Sequence, residues 1–357
     1  IAEIARQAGV SVPTVSKVLN GHADVADDTR STVQRLLLEN NYRRRTAMRR
    51  SRAGLVDLVV PNMDSPWVVE VIRGAEDAAH QAGVGVVVSA VHGRRRDVRQ
   101  WLDGLVQRRS DGVVLVVSEL DTGERHRLAA LEVPLVLVDP VGQADPDIPT
   151  VGATNWAGGL AATEHLTALG HRRIGIITGP PSVLCSQARL DGYRAGLERA
   201  GIAADPELIR AGDFLHDSGV EHGGALLDLA DPPTAIFAGS DLQAFGVYDA
   251  ARARRLRVPD DLSVVGFDDL ALCAWVTPPL TTVRQPLAEM AAMAMRLALT
   301  GGADSPGASR VELATTLVVR DSTAPLTDRI DAAAGIDSAA GIDAAATIAS
   351  AVTASGS

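Results

Sequence analysis

The chain has 357 residues, 34 Lys+Arg against 44 Asp+Glu, a formal net charge of −10, 46% hydrophobic residues and two cysteines. That length and apolar content allow several folded domains and exclude a disordered polyampholyte or a disulfide-stapled miniprotein. No apolar run is long enough to cross a membrane and no secretory leader is read. A cytoplasmic protein with Cys185 and Cys273 as buried thiols is therefore expected.

Charge is divided unevenly along the chain. Residues 1–52 hold ten Lys+Arg against five Asp+Glu, whereas the rest of the chain is acidic. A basic end on an acidic protein is the pattern of a single phosphate-binding domain. Ile4, Ala5, Ala8 and Val10 fall on one helical face, and Gly9 suits the turn that ends the helix. Ser11 is an N-cap and Pro13 sits in the first turn that follows, where its missing N–H is no loss. Val15, Val18 and Leu19 give this second helix an apolar stripe. Thr14, Ser16, Lys17 and Asn20 stay on its polar side. A third helix over Thr29–Asn40 closes a small core with Val33, Leu36 and Leu37. A helical hairpin need not touch DNA, but here an arginine-rich stretch follows it at once. Its members are Arg43, Arg44, Arg45, Arg49, Arg50 and Arg52, with Met48 the one large apolar side chain among them. This pattern predicts a helix-turn-helix whose second helix enters the major groove, with a linker that also meets DNA.

Beyond the linker, apolar runs alternate with amphipathic stretches. Strands are predicted at Leu55–Val60, Val84–Val88, Gly112–Val117, Leu135–Val138, Ile174–Thr178, Ala235–Ala238 and Leu262–Gly266, with a short one at 207–210. Helices are predicted at Val68–Gln81, Asn155–Ala168, Ser186–Ala200 and Leu242–Arg254. Continuous apolar strands joined by helices imply parallel sheets covered on both faces, with ligands beyond the strands' carboxyl ends. Ser65 and Trp67 follow the first strand, Asp139 the fourth, Ser240 the Ala235–Ala238 strand and Asp268 the Leu262–Gly266 strand. Arg189 sits near a helix start and Phe214 in a loop. Each has a bland alternative: a cap, a surface ion pair or core filling. Together, carboxylates, one guanidinium and two aromatics suit a sugar, gripping hydroxyls and covering C–H faces. The Ala/Gly/Ser-rich stretch from 327 to 357 reads as a low-complexity, disordered tail.

The string Ile4-Ala5…Ala8-Gly9-Val10-Ser11…Thr14-Val15-Ser16-Lys17-Val18-Leu19-Asn20, then Val25…Thr29-Arg30 and Asn41-Tyr42, resembles the headpiece of the LacI/GalR family. The resemblance runs to about residue 325, through Gly170-His171-Arg172-Arg173-Ile174 and Pro278-Pro279-Leu280-Thr281-Thr282-Val283. It implies a small all-α helix-turn-helix headpiece plus an α/β effector domain of two doubly wound parallel-sheet lobes, similar to the periplasmic binding proteins. The implied boundaries are 1–42 for the headpiece, 43–54 for the Arg-rich linker, 55–154 plus 284–312 for the first lobe, and 155–283 plus 313–326 for the second. It also implies that Val12, Pro13 and Lys17 read bases, while Ser11, Thr14, Ser16, Asn20 and Thr29 hold phosphates. Arg45, Met48 and Arg49 are the implied linker contacts. Family hinges carry a leucine wedge; the stretch from Arg43 to Ala53 has none, which favours arginine entry into a narrow minor groove.

For the effector site the resemblance implies Ser65, Trp67, Asp139, Arg189, Phe214, Ser240 and Asp268, with a mono- or disaccharide as ligand. It further implies a homodimer, formed through helices near Val68–Gln81 and Asp97–Val106, on palindromic operator DNA. The function implied is a ligand-responsive transcriptional regulator, a repressor by preference. The rival is a sugar-binding protein of a transport system, against which the headpiece argues. No phosphate-binding Gly-x-Gly-x-x-Gly or Walker lysine is present, and His80, His165 and His171 lack a nucleophile partner. Neither catalysis, cofactor nor metal is expected.

Overall fold

The computed structural model describes residues 2–19, 25–39, 53–91, 95–116, 122–140, 148–301 and 310–326. Contacts divide the chain into two compact units, Ile1–Arg52 and Ala53–Ser357. In the first unit, α1 (Ala2–Gln7), α2 (Val12–Leu19) and α3 (Asp27–Glu39) enclose a core of Ile4, Ala5, Val15, Val18, Val25, Val33 and Leu36. Gly9 adopts φ +64° in the turn, a left-handed conformation open to glycine at no steric cost.

The second unit runs β1 (Leu55–Val60), α4 (Pro66–Gln81), β2 (Gly85–Ala90), α5 (Arg95–Arg108), β3 (Gly112–Val116), α6 (Thr122–Ala130), β4 (Leu135–Val138) and β5 (Thr150–Ala153). It then crosses into α7 (Asn155–Ala168), β6 (Ile174–Thr178), α8 (Leu184–Arg199), β7 (Ile209–Ala211), α9 (His216–Leu227), β8 (Ala235–Ala238), α10 (Asp241–Ala253), β9 (Ser263–Asp268) and β10 (Thr281–Arg284). Finally α11 (Leu287–Thr300) and β11 (Arg310–Leu313) return to the first lobe, and β12 (Thr316–Val318) to the second. The sheets have orders β11-β5-β4-β3-β1-β2 and β12-β10-β9-β8-β6-β7. Every pairing is parallel except β10 with β12. The two sheets repeat one topology, and in each the strand order reverses beside the first strand, where a crevice opens at the carboxyl ends.

Arg284 pairs with Asp268 and Thr316 in the second sheet, and Leu313 pairs with Ala153 in the first. Both crossings therefore fall one residue later than the sequence boundaries at 283/284 and 312/313, because the strand ladder holds each residue to its end. The crossings are tied together at Thr154 and Thr315: the Thr315 N–H donates to Thr154 Oγ1 at 2.9 Å, and the two hydroxyls lie 3.0 Å apart.

Helices of the second unit meet at glycines. A Cβ on Gly159 of α7 would stand 2.3 Å from the Arg189 carbonyl oxygen of α8, and one on Gly192 would stand 2.2 Å from that of Trp156. The backbones touch, so there is no side chain to move aside. Gly159→Val should cost about 1–3 kcal/mol through overpacking. Because α7 carries Asn155 and α8 carries Arg189, the same substitution should displace the site described below. Thermal unfolding gives the first effect and ligand-induced thermal shift the second.

Candidate functional site

In the headpiece, the described part of α2 has a buried and an exposed side. Thr14 N–H donates to Ser11 Oγ at 3.3 Å, so Ser11 caps α2, and its hydroxyl lies 2.8 Å from Thr14 Oγ1. Val15 and Val18 are buried, whereas Val12, Pro13 and Lys17 are exposed on the other side of α2. Thr29 is half-buried on α3, and Ser16 lies on α2. Asn20, Arg45, Met48 and Arg49 lie outside the described residues. Ser11→Ala should cost about 1 kcal/mol of headpiece stability through loss of the cap. Faster amide hydrogen exchange across α2, measured without DNA, would show it.

The second unit begins with a clamp. Asp111, just before β3, accepts the Ala53 N–H at 3.2 Å and the Gly54 N–H at 2.8 Å, with Gly54 at φ +69°. This fixes the amino end of β1, where the linker of 43–54 enters.

At the opposite, carboxyl end of the strands is a cavity of about 270 Å³ between the lobes. All seven residues selected from sequence line it: Ser65, Trp67 and Asp139 from the first lobe, and Arg189, Phe214, Ser240 and Asp268 from the second. Asn62, Pro180, Val183 and Asp213 complete much of the wall.

Arg189 is the centre. It is 5% exposed, and its guanidinium carbon lies 3.8 Å from the ring centroid of Phe267 and 5.3 Å from that of Phe214. Its Nε donates to Asn155 Oδ1 at 2.9 Å and its Nη1 to the Gly239 carbonyl at 2.5 Å. Stacking and two hydrogen bonds fix its plane, and a buried planar cation with fixed N–H directions is a recogniser of oxygen ligands.

Two carboxylates face this charge. Asp139 is 6% exposed, sits at φ +45° and has no hydrogen-bond donor to its carboxylate among the described residues. Burial pushes its pKa up to about 6, and the attraction of Arg189 offsets only part of that. Asp268, at φ +130°, accepts from Gln285 Nε2 at 2.6 Å. Burial and then the charge of Asp241 raise it to about 8, against the pull of Arg189 and Gln285. Asp241 takes hydrogen bonds from the Leu270 N–H, the Cys273 thiol and the Thr282 hydroxyl, but its burial outweighs them and raises its pKa as well, so the neighbouring carboxyls of Asp241 and Asp268 both hold protons more tightly than free ones. At neutral pH the cleft thus offers an acceptor at Asp139 and an O–H donor at Asp268.

Phe214 sits at φ +69° with its ring on the Gly179 backbone; a Cβ on Gly179 would stand 1.9 Å from Phe214 Cζ. Three of the seven described non-glycine residues with positive φ are therefore cleft residues, Asp139, Phe214 and Asp268. Backbone strain concentrated at one crevice marks a site shaped for a ligand. Ser240 caps α10 by accepting from the Gln243 N–H at 3.1 Å, and it donates to the Phe214 carbonyl at 2.7 Å. Its one proton is thus spent on holding the Phe214 loop. Ser65, at the head of α4, makes no side-chain cap bond and lines the cavity. Trp67 both packs on the core and lines the cavity.

Sequence reasoning missed the residues that hold these groups. Asn155 Nδ2 donates to the Ala153 carbonyl at 3.0 Å while its oxygen takes Arg189. Gln285 holds Asp268 by side chain and by its N–H, which donates to the Asp268 carbonyl at 3.1 Å. Both stand where the chain crosses between lobes. A buried Asn at a helix start and a buried Gln after a strand were the available signals, and neither is legible without burial.

Residues 1–45 match the family model described as bacterial regulatory proteins, lacI family, and residues 163–323 match a periplasmic binding protein-like domain. The HTH-type transcriptional regulator DegA of Bacillus subtilis (strain 168) is 33% identical over 338 residues, spanning 91% of this chain and 98% of its own. The chain belongs to the lacI family. Like its relatives in that family it is a ligand-responsive, DNA-binding transcriptional regulator. The lacI-family fold is matched in solved structures. A transcriptional regulator CelR–cellobiose complex is 33% identical, covers 90% of this chain and 98% of its own, and has a TM-score of 0.71. The lac repressor dimer bound to operator and the anti-inducer ONPF is 28% identical over 90% of this chain and 98% of that one, with a TM-score of 0.66. No helix of the described residues is long and apolar enough to cross a membrane.

Proposed function

We propose that this lacI-family regulator is a cytoplasmic repressor whose operator affinity is set by a small sugar in the cleft around Arg189. The observation that carries the reading is the buried guanidinium, stacked on Phe267 and Phe214 and facing a bare carboxylate and a protonated one. Such a set grips neutral hydroxyls from both the donor and the acceptor side. Relatives with sugar names support it, in the cellobiose complex and in the ribose operon repressor of Escherichia coli (strain K12), 33% identical over 298 residues.

A homodimer places two headpieces on a palindromic operator. Val12, Pro13 and Lys17 meet bases; Ser11, Thr14, Ser16, Asn20 and Thr29 meet phosphates; Arg45, Met48 and Arg49 follow along the linker. Val69 on α4 and Val106 on α5, 53% and 51% exposed, support these helices as the dimer surface. Within the second unit the signal has a short route. The cleft touches β1 at its carboxyl end, the Asp111 clamp holds its amino end, and six residues of strand span about 20 Å. Coupling is reciprocal, so a sugar that loosens operator must itself bind the DNA complex less tightly.

The test is retardation of the gene's own upstream DNA, with and without sugars, over a salt series. Specific binding that weakens steeply with salt and is relieved by a sugar supports the reading. Operator binding indifferent to every sugar tried, with no sugar raising the melting temperature, overturns the effector half of it.

A further inference from the structure

A second chamber adjoins the first, of about 690 Å³, and the two share Asp139 and Cys185 in their walls. It is built from β5, the first turn of α7, the first turns of α8 and the Arg310–Glu312 ion pair of β11. The 270 Å³ of the first chamber falls just below ordinary ligand sites, about 300–1,000 Å³, so it has room for one hexose ring and little more.

Three features say what the second chamber takes. The Asp139 carboxylate, 6% exposed and without a donor among the described residues, lies at the boundary of both spaces. A carboxylate on that boundary can accept from hydroxyls on either side, since its two oxygens can serve two rings at once. Gly152 keeps that boundary open: a Cβ there would meet only Asp139 Oδ1, at 3.3 Å. Trp156, 44% exposed at the start of α7, gives the chamber an aromatic wall. A phosphate group fits poorly, since Asp139 and Glu312 would oppose it and Arg310 is already held by Glu312 at 2.6 Å.

Resting on the reading that the first chamber holds a sugar, we propose that the effector is a disaccharide. One ring lies on Arg189 and Phe214, and the other lies in the second chamber against Trp156, with Asp139 hydrogen-bonded to both.

The experiment is calorimetric titration of the full chain with matched pairs, glucose against cellobiose and maltose, and galactose against lactose, with glucose 6-phosphate as the anionic arm. A disaccharide should bind at least tenfold tighter than its monosaccharide. Trp156→Ala should erase that advantage and leave the monosaccharide within twofold. Gly152→Val, which fills the boundary and crowds Asp139, should also erase the disaccharide's advantage, whereas Arg189→Ala should weaken both classes. A monosaccharide or glucose 6-phosphate binding as tightly as the best disaccharide overturns the proposal, as does unchanged disaccharide affinity in both Trp156→Ala and Gly152→Val, and the sugar reading survives a tight monosaccharide. If no sugar of the panel binds, that reading and this proposal fall together.

Discussion

Arg189→Ala is expected to keep the regulator on its operator at sugar concentrations that release the wild type. The guanidinium supplies the one buried positive charge described in the cleft and is held by Asn155, Gly239 and two aromatic rings. Removing one partner of a buried, hydrogen-bonded charge set usually costs about 2–5 kcal/mol, so the sugar should bind on the order of a hundredfold more weakly. Operator affinity should change little, because the headpiece has its own core. Arg189→Lys should not rescue the response: a compact ammonium cannot donate to Asn155 and Gly239 while stacking flat on Phe267. Fluorescence anisotropy of labelled operator, titrated with the inducing sugar, reads both quantities. Normal release in Arg189→Ala would remove Arg189 from the site. Thermal melts must accompany it, since the substitution leaves the Asn155 oxygen and the Gly239 carbonyl unpaired.

The path from sequence to this site was partly legible, for a physical reason. Buried parallel strands are short apolar runs, so Leu55–Val60, Leu135–Val138, Ile174–Thr178 and Ala235–Ala238 appear in the sequence as they do in the sheets. Ligands collect at strand carboxyl ends, so Ser65, Trp67, Asp139, Ser240 and Asp268 could be selected just after such runs, with Arg189 near a helix start and Phe214 in a loop added to them, and all seven line one cavity. What stayed hidden depends on tertiary contact. β5, Thr150–Ala153, is interrupted by Gly152 and reads as a loop until β4 and β11 pair on either side. Asp57 stands inside the apolar run of β1 yet is fully buried, taking bonds from Trp101 Nε1, Arg108 and Ser110 that anchor α5. Ser240 reads as a contact by position, and only the geometry shows its hydroxyl spent on Phe214. The clamps Asn155 and Gln285 carry no local pattern, because their partners lie 34 and 17 residues away.

Those clamps give the cleft a mechanical meaning. Arg189 and Asp268 both line the cavity from the second lobe, and each is bonded to a residue where the chain crosses between lobes. A ligand that tightens on Arg189 pulls on Asn155, hence on Ala153 and β5. One that engages Asp268 competes with Gln285, whose Oε1 is buried with no partner among the described residues. Asn155→Ala and Gln285→Ala are therefore better probes of coupling than of affinity, and their effect on release should exceed their effect on sugar binding.

Asp139→Asn is expected to stabilise the ligand-free protein while weakening its response to sugar, and pH separates the two effects. The folded-state pKa of about 6 lies above the ordinary carboxylate value of 3.8. A raised carboxyl carries its full contribution to stability below the unfolded value and loses it as pH rises through the folded one. Across that window of about two units the wild type gives up about 3 kcal/mol, at 1.36 kcal/mol per unit. Asparagine does not ionise, so the variant should melt higher at pH 8, by an amount that shrinks through pH 6 and vanishes near pH 4. A one- or two-kcal/mol gain is a visible shift in midpoint for a domain of this size. Sugar affinity should move the other way, because an amide offers one acceptor where the carboxylate offers two oxygens and a charge that Arg189 reinforces. In the wild type, affinity should accordingly fall as pH drops below about 6, and in the variant that dependence should be lost. A wild type whose sugar affinity is flat from pH 5 to pH 8, or a variant that melts lower than wild type at pH 8, would show that Asp139 is not the cleft's bare acceptor.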